Sequence, residues 1–345
     1  MRLNHLLDKI PTIKLANLLT PLDEASRLAD KIGLSKLFIK RDDLTGLAGG
    51  GNKARKLEYD FVEIINGGYD VVLTAGGIQS NHTRMTAAAA RKLGLDINLV
   101  LGGPDFEIAK GNMLLDVMFG AEIRYLVDDD ANVSLENEMQ KWADELVLAG
   151  RKPFAIPIGG STGLGALGYV KAMQEFSEQF GNKKVQVILG VGSCGTFAGA
   201  ILGAKIFIPN ARVIGISVSR TSEAIKKRTS ELMQESAGLI NYKIDAQTSI
   251  ECYDSYHTEY GMITKAGEQA INDCANLEGI LLDPIYTGKV MAGLIDLVDK
   301  NIIDKNIPVV FIHTGGMPII FSFESELGSK INCTKIIPKN KLNDA

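Results

Sequence analysis

The chain has 345 residues, 46 % hydrophobic and 23 % charged, with a formal net charge of -4. That balance supports a well-buried globular protein of one large or two ordinary domains, and it gives no basic footprint for nucleic acid or anionic membrane. Four cysteines and four histidines show no C-x-x-C or metal-ligand spacing, and no apolar run nears the ~20 residues of a membrane span, so a soluble, metal-free protein of the reduced cytoplasm is expected.

The N-terminal "MRLNHLLDKIPTIKL" is broken by Asp8, Lys9 and Pro11 and has no signal-peptide core. The first distinctive stretch is "GLAGGGNKARKLEY" (residues 46–59), three glycines and an asparagine running into Lys53 and a helical pattern. From residue 70 onward strands and helices alternate. "DVVLTAGG" reads as a buried strand, "NHTRMTAAAARKLG" as a helix ending near Gly94, and "DINLVLGG" as a second strand. "EIAKGNMLLDVMFG" reads as a helix, "EIRYLV" as a strand, "VSLENEMQKWADELVLAG" as an amphipathic helix and "KPFAIP" as a strand. After "IGGSTGLGALG" come a helix through Phe180, the strand "VQVILGVG" and the small-residue helix "GTFAGAILGAKIF". "ARVIGISV" and "IPVVFIHTGG" complete the set. Such alternation predicts an α/β protein of mostly parallel twisted sheets with helices on both faces. Glycine clusters near Gly49–Gly51 and Gly159–Gly165 divide it into a large domain, 1–48 and 162–345, and an inserted small domain, 49–161.

In open α/β sheets ligands bind beyond the carboxyl ends of the strands. Four such ends here run into glycine and hydroxyl residues: "LTAGGIQSNH", "PIGGSTGLG", "LGVGSCGTFAG" and "FIHTGGMP". In "GVGSCGTFAG" a strand turns into a helix start, where converging N–H groups and the hydroxyls of Ser193 and Thr196 suit a phosphate. No Gly-Lys-Ser/Thr follows and the G-x-G-x-x-G spacing is poor, so a small monophosphate is favoured over a nucleotide. "QSNHTR" offers a carboxylate nest at a helix start, although Ser80 or Asn81 as a simple cap explains it equally well. Tyr286 and Thr287 precede an amphipathic helix, Tyr260 lies in an irregular region, and Thr314 ends a central strand. Each of these alone is as well explained by packing or local hydrogen bonding. Lys53 alone reads as a solvated lysine beside Arg55 and Lys56. Together, a phosphate turn, a carboxylate nest and a glycine-flanked lysine match one cofactor, pyridoxal 5′-phosphate, whose aldehyde takes a lysine.

The motifs "KRDDLTGLAGGGNKARKLE", "TAGGIQSNHTR", "GGSTGLGALGYV", "GSCGTFAG", "EYG", "DPIYTGKVMAGL" and "HTGG" occur in this order. They resemble the pyridoxal-phosphate-dependent D-cysteine desulfhydrase and 1-aminocyclopropane-1-carboxylate deaminase family, over residues from about 10 to 320. The resemblance implies the two-domain fold of the tryptophan synthase β-subunit class (fold type II), with the cofactor between the domains, and a homodimer. It assigns Lys53 to the lysine that holds the cofactor, Asn81 to the asparagine near the cofactor's 3′-oxygen, and Ser193, Cys194, Gly195 and Thr196 to the phosphate loop. Ser80, Asn81 and His82, with Gln79 adjacent, fall where the family holds the substrate carboxylate. Tyr260 and Tyr286 match two tyrosines over the reacting amino acid. Cys194 stands where many relatives have glycine, a change expected to do little harm.

The deaminase branch has "YEG" and "HLGG" where this chain has Thr287 ("YTG") and Thr314 ("HTGG"), as in the desulfhydrase branch. A carboxylate beside the pyridine nitrogen makes a strong electron sink and hydroxyls a weak one. Opening a cyclopropane needs the strong sink, whereas expelling thiolate does not. The expectation is β-elimination on D-cysteine, a small amino-acid substrate, giving pyruvate, hydrogen sulfide and ammonia, with Lys53 as the default base and Tyr286, Tyr260 and Ser80 assisting. The alternatives are another β-eliminating lyase (L-cysteate or a different β-substituted alanine), the ring-opening deaminase, and a non-catalytic cofactor-binding protein.

Overall fold

The computed structural model describes residues 6–104, 108–127, 134–245, 248–256 and 261–328. Its strands are β1 (Leu22–Glu24), β2 (Leu37–Lys40), β3 (Val71–Gly77), β4 (Asp96–Gly103), β5 (Glu122–Val127), β6 (Pro153–Ala155), β7 (Val185–Val191), β8 (Ala211–Ser217), β9 (Glu251–Tyr253) and β10 (Val309–Ile312). The helices that matter are α1 (Ser26–Ile32), α2 (Lys53–Asn66), α3 (Asn81–Lys92), α4 (Gly111–Met118), α5 (Leu135–Leu148), α6 (Gly163–Phe180), α7 (Gly195–Phe207), α8 (Ser222–Leu239), α9 (Lys265–Glu278) and α10 (Thr287–Asp299).

Two sheets organise the chain. The larger has the order β1-β2-β10-β7-β8-β9, and the smaller β5-β4-β3-β6. All pairs are parallel except the antiparallel edge pair β1–β2. The expected α/β class with mostly parallel sheets is therefore found. Alternation along the strands explains why both faces are covered. In the larger sheet Ile188, Ile214 and Phe311 pack under α9 and α10, while Val187, Leu189 and Val310 pack under α6 and α7. In the smaller sheet Ile97, Leu99 and Leu101 face α2 and α3, and Val71, Leu73 and Val100 face Trp142 of α5. Each such side chain contributes roughly 1.5–3 kcal/mol on burial, so packing rather than propensity holds these layers. No helix among the described residues is long and apolar enough to cross a membrane.

Several elements went unread in the sequence. The strands β1, β2 and β9 are three or four residues long, too short to show a period. β2 also carries Lys40, a buried lysine that pairs with Glu175 of α6. The same buried cluster holds Arg55 of α2, paired to Asp42 at 2.8 Å and to Glu175 at 2.9 Å. Two cations and two carboxylates thus balance, which is what makes their burial tolerable. Arg55 and Lys56, the neighbours beside which Lys53 alone reads as a solvated lysine, are among the most deeply buried side chains.

The glycine run before Lys53 is stitched between two loops. Thr45 Oγ1 donates to the Gly51 carbonyl and accepts from its N–H, both at 2.8 Å. Gly51 bridges to Gly315, and the Asn52 N–H donates to the Thr314 carbonyl at 3.0 Å. Gly50 has φ +81°, and a Cβ there would run into the Asp43 carbonyl. Only glycine meets both demands. The run places the first turn of α2 beside the end of β10.

Candidate active site

A cleft opens where strands of both sheets end. Lys53, Ser80, Asn81, His82, Ser193, Cys194, Thr196, Tyr286 and Thr314 line it, so most of the residues singled out in the sequence converge there. Gln79, Gly195 and Thr287 stand behind the lining, and Tyr260 lies outside the described residues.

Lys53 reaches across from the start of α2, its Nζ donating to the Gly159 carbonyl at 3.0 Å. Lys56, one turn on, donates to the same carbonyl at 2.7 Å. Among the described residues neither ammonium has an ion pair. Burial lowers the Lys53 pKa to about 8. Lys56 is held well below its ordinary value, by burial first and then by the neighbouring Lys53 charge. Asp60, a turn further along α2, accepts from Thr162 Oγ1 at 2.7 Å, but its Oδ2 has no hydrogen-bond partner among the described residues. Burial pushes its carboxyl up to about 6. Sequence reading passed over Lys56, although its i, i+3 spacing from Lys53 on one helix face was the available signal.

The turn after β7 leads into α7. Cys194 sits there at φ +71° with its side chain buried. The position therefore asks for glycine's backbone, a requirement not foreseen when the cysteine was taken as harmless; a non-glycine residue there carries strain of order 1 kcal/mol. Thr196 accepts from Asn52 Nδ2 at 2.9 Å, which ties this turn to the residue before Lys53. A Cβ at Gly195 would come within 2.7 Å of Lys56 Nζ. Here a helix N-terminus, two hydroxyls and a buried lysine with no ion pair among the described residues converge.

Ser80 is the N-cap of α3, accepting from the N–H groups of His82 at 3.2 Å and Thr83 at 3.3 Å. His82 is buried, and burial followed by the charges of Lys53 and Lys56 holds its pKa well below the usual value. Thr74 Oγ1 spends its proton on the Ile156 carbonyl, so the 2.8 Å contact to His82 makes Nε2 the donor. His82 is thus a neutral imidazole of defined tautomer. Gln79 turns away from the cleft, bonding Lys110 and Asn112. Tyr286 is half-buried, its N–H donating to Asp283 Oδ2 at 2.8 Å. Thr287 is fully buried and its hydroxyl donates to Asp283 Oδ1 at 2.7 Å, so of the two threonines read as branch markers only Thr314 reaches the lining.

Residues 13–315 match the sequence profile of pyridoxal-phosphate dependent enzymes. The chain belongs to that family. As a pyridoxal-phosphate dependent enzyme it is 42 % identical, over 93 % of its length and 97 % of the other's, to a Pyrococcus horikoshii protein provisionally named 1-aminocyclopropane-1-carboxylate deaminase. It is 39 % identical to D-cysteine desulfhydrase of Salmonella choleraesuis, over 92 % of this chain and 98 % of that one. A crystal structure described as an ACC deaminase homologue superposes with a TM-score of 0.87 at 41 % identity, covering 94 % of this chain and 98 % of that one. The cleft fits the cofactor on its own chemistry, because the part-buried Lys53 and the buried Lys56, neither in an ion pair among the described residues, lie beside a helix N-terminus and suit an aldehyde and a dianion.

A pH dependence follows for this enzyme. Only the neutral amine attacks an aldehyde, so if Lys53 is the capturing amine, uptake of pyridoxal phosphate by cofactor-stripped protein should speed up about tenfold per pH unit and flatten near pH 8. Stopped-flow absorbance would show this, and a rate still climbing between pH 9 and 10 would contradict the lowered Lys53 pKa.

Proposed function

We propose that this enzyme is a β-eliminating lyase that converts D-cysteine and water to pyruvate, hydrogen sulfide and ammonia. The observation that carries the reading is Thr314 in the cleft lining, with Thr287 at the adjacent helix start. Asp283, the nearby carboxylate, is occupied by the N–H groups of Ile285, Tyr286 and Thr287 and by the Thr287 hydroxyl. A hydroxyl at the Thr314 position supports only a modest electron sink, which suffices for a thiolate leaving group.

In this reading residues 49–161 form a small domain closing over the substrate, and the enzyme acts as a cytoplasmic homodimer. Pyridoxal phosphate, when bound, supplies the electron sink that stabilises negative charge at Cα. Lys53 holds it, and the turn Ser193–Cys194–Gly195–Thr196, with Lys56 beneath, takes its phosphate. Asn81 faces its ring. The N-terminus of α3 takes the substrate carboxylate, with Ser80, Asn81 and neutral His82 around it and Gln79 bracing the turn from behind. The lowered pKa of Lys53 suits it to remove the α-proton near neutral pH. Tyr286, on the α10 side of the cleft, shares proton handling together with Tyr260.

The test is product analysis with D-cysteine, L-cysteine, L-cysteate and 1-aminocyclopropane-1-carboxylate. Sulfide and pyruvate in equal amounts from D-cysteine are expected. α-Ketobutyrate from the cyclopropane would move the chain to the ring-opening branch. Turnover of L-cysteate alone would make it a different lyase, and no turnover of any of these would leave a cofactor-binding protein.

A further inference from the structure

Asn112, the second residue of α4, is completely buried and lies 31 residues from Asn81 in sequence. Its backbone N–H donates to Gln79 Oε1 at 2.9 Å. Its side-chain Nδ2 donates twice, to the Gln79 carbonyl and to Asn81 Oδ1, both at 2.9 Å. Its Oδ1 accepts from Arg84 Nη1 at 2.9 Å. Both amide hydrogens and the amide oxygen are therefore used, which is full employment for a buried asparagine.

The polarity of this chain has one origin. Arg84 is buried, and burial lowers its pKa to about 10 against the raising influence of Asp116 and Asp283, so it stays cationic at neutral pH. A guanidinium only donates. Arg84 thus forces the Asn112 oxygen toward itself and the Asn112 nitrogen toward Asn81. Asn81 must in turn present its oxygen to Asn112. Its own nitrogen, the remaining donor, is left for the cleft that Asn81 lines. Arg84 Nη2 also holds the Gly50 carbonyl at 2.8 Å, so the same cation braces the glycine run before Lys53.

We propose that Arg84 and Asn112 are positioning residues forming a hydrogen-bond relay that makes Asn81 a donor, not an acceptor, toward the cofactor's ring oxygen. The inference rests on the reading that Asn81 faces the cofactor ring. A fixed donor at that oxygen favours its anionic form, and an amide turned the other way disfavours it.

The decisive variant is Asn112→Asp. It keeps the size and the acceptor for Arg84 but replaces the Nδ2 donor with a second acceptor. Asn81 then turns its amide to donate to the new carboxylate, and its oxygen faces the cleft. The readouts are the dissociation constant of pyridoxal phosphate for stripped protein and the pH midpoint of the visible absorbance of reconstituted protein. Asn112→Asp should weaken binding about tenfold or more, the scale of one hydrogen bond to a charged group, and raise the midpoint. Asn81→Ala should shift both in the same direction, and adding Asn112→Asp to it should change little more, because both act through one amide. Wild-type constants in Asn112→Asp, or fully additive effects in the double variant, would overturn the relay. If Asn112→Asp does not fold, Asn112→Ala frees the Asn81 amide to rotate and should raise the midpoint by a smaller amount; an unchanged midpoint overturns the proposal equally. If Asn81→Ala itself leaves both readouts unchanged, the placement of Asn81 at the cofactor falls and the relay with it. None of these measurements depends on D-cysteine being the substrate.

Discussion

Replacing Lys53 with Ala should remove the visible absorbance of the reconstituted protein and lower turnover by on the order of a thousand-fold or more. Two losses combine. In the proposed reading the side chain is the amine that takes the cofactor's aldehyde, and its pKa of about 8 suits it to proton abstraction near neutral pH. Cofactor should still bind weakly, because Asn52, Thr196 and Lys56 keep their places around the α7 turn. Borohydride treatment separates the two effects: it should fix cofactor covalently to the wild-type chain and not to Lys53→Ala. The variant should fold normally, since the lost contact is one hydrogen bond to the Gly159 carbonyl. A yellow, fully active Lys53→Ala protein would end the assignment of Lys53.

How much of this was legible in the sequence depended on the range over which each feature is encoded. The strand-turn-helix unit β7–α7 was readable, because a buried apolar run, a glycine turn and a small-residue helix follow one another within 23 residues. So was the capped start of α3, where Ser80 performs the capping that its residue type suggests. Short edge strands were not readable, since β1 and β9 are defined by the neighbours they pair with. The site divided along the same line. Lys53 and the Ser193–Thr196 turn carry local signals of glycine and hydroxyl. Asn112 carries none, because its importance lies in meeting Asn81, Gln79 and Arg84 across two loops. Thr287 shows the converse limit. It reads as a branch marker, yet its hydroxyl is bound to Asp283, so any influence on the cofactor passes through the start of α10.

Lys56 offers the second large effect, with opposite signs in stripped and loaded protein. The group is buried, without an ion pair among the described residues, and crowded by Lys53. A lysine whose folded pKa lies below its ordinary value of 10.5 costs stability at neutral pH. The unfolded chain binds that proton more tightly, so the cost is absent above pH 10.5 and grows as pH falls toward the folded pKa. Lys56→Met, which keeps much of the volume and drops the charge, should therefore raise the melting temperature of stripped protein, and by more at pH 7 than at pH 10. In the proposed reading bound phosphate reverses the balance, since the ammonium would then pair with an anion beside the α7 N-terminus. Losing one partner of a buried charge pair costs about 2 kcal/mol or more, so pyridoxal phosphate should bind Lys56→Met at least about 30-fold more weakly. The cofactor should also raise the variant's melting temperature less than it raises that of the wild type. Melting curves and cofactor titrations at the two pH values read all of these. Unchanged cofactor affinity would show that Lys56 serves the fold alone, and a less stable stripped variant would show that the Gly159 carbonyl, the Ser161 hydroxyl and the nearby Asp60 carboxyl compensate its charge.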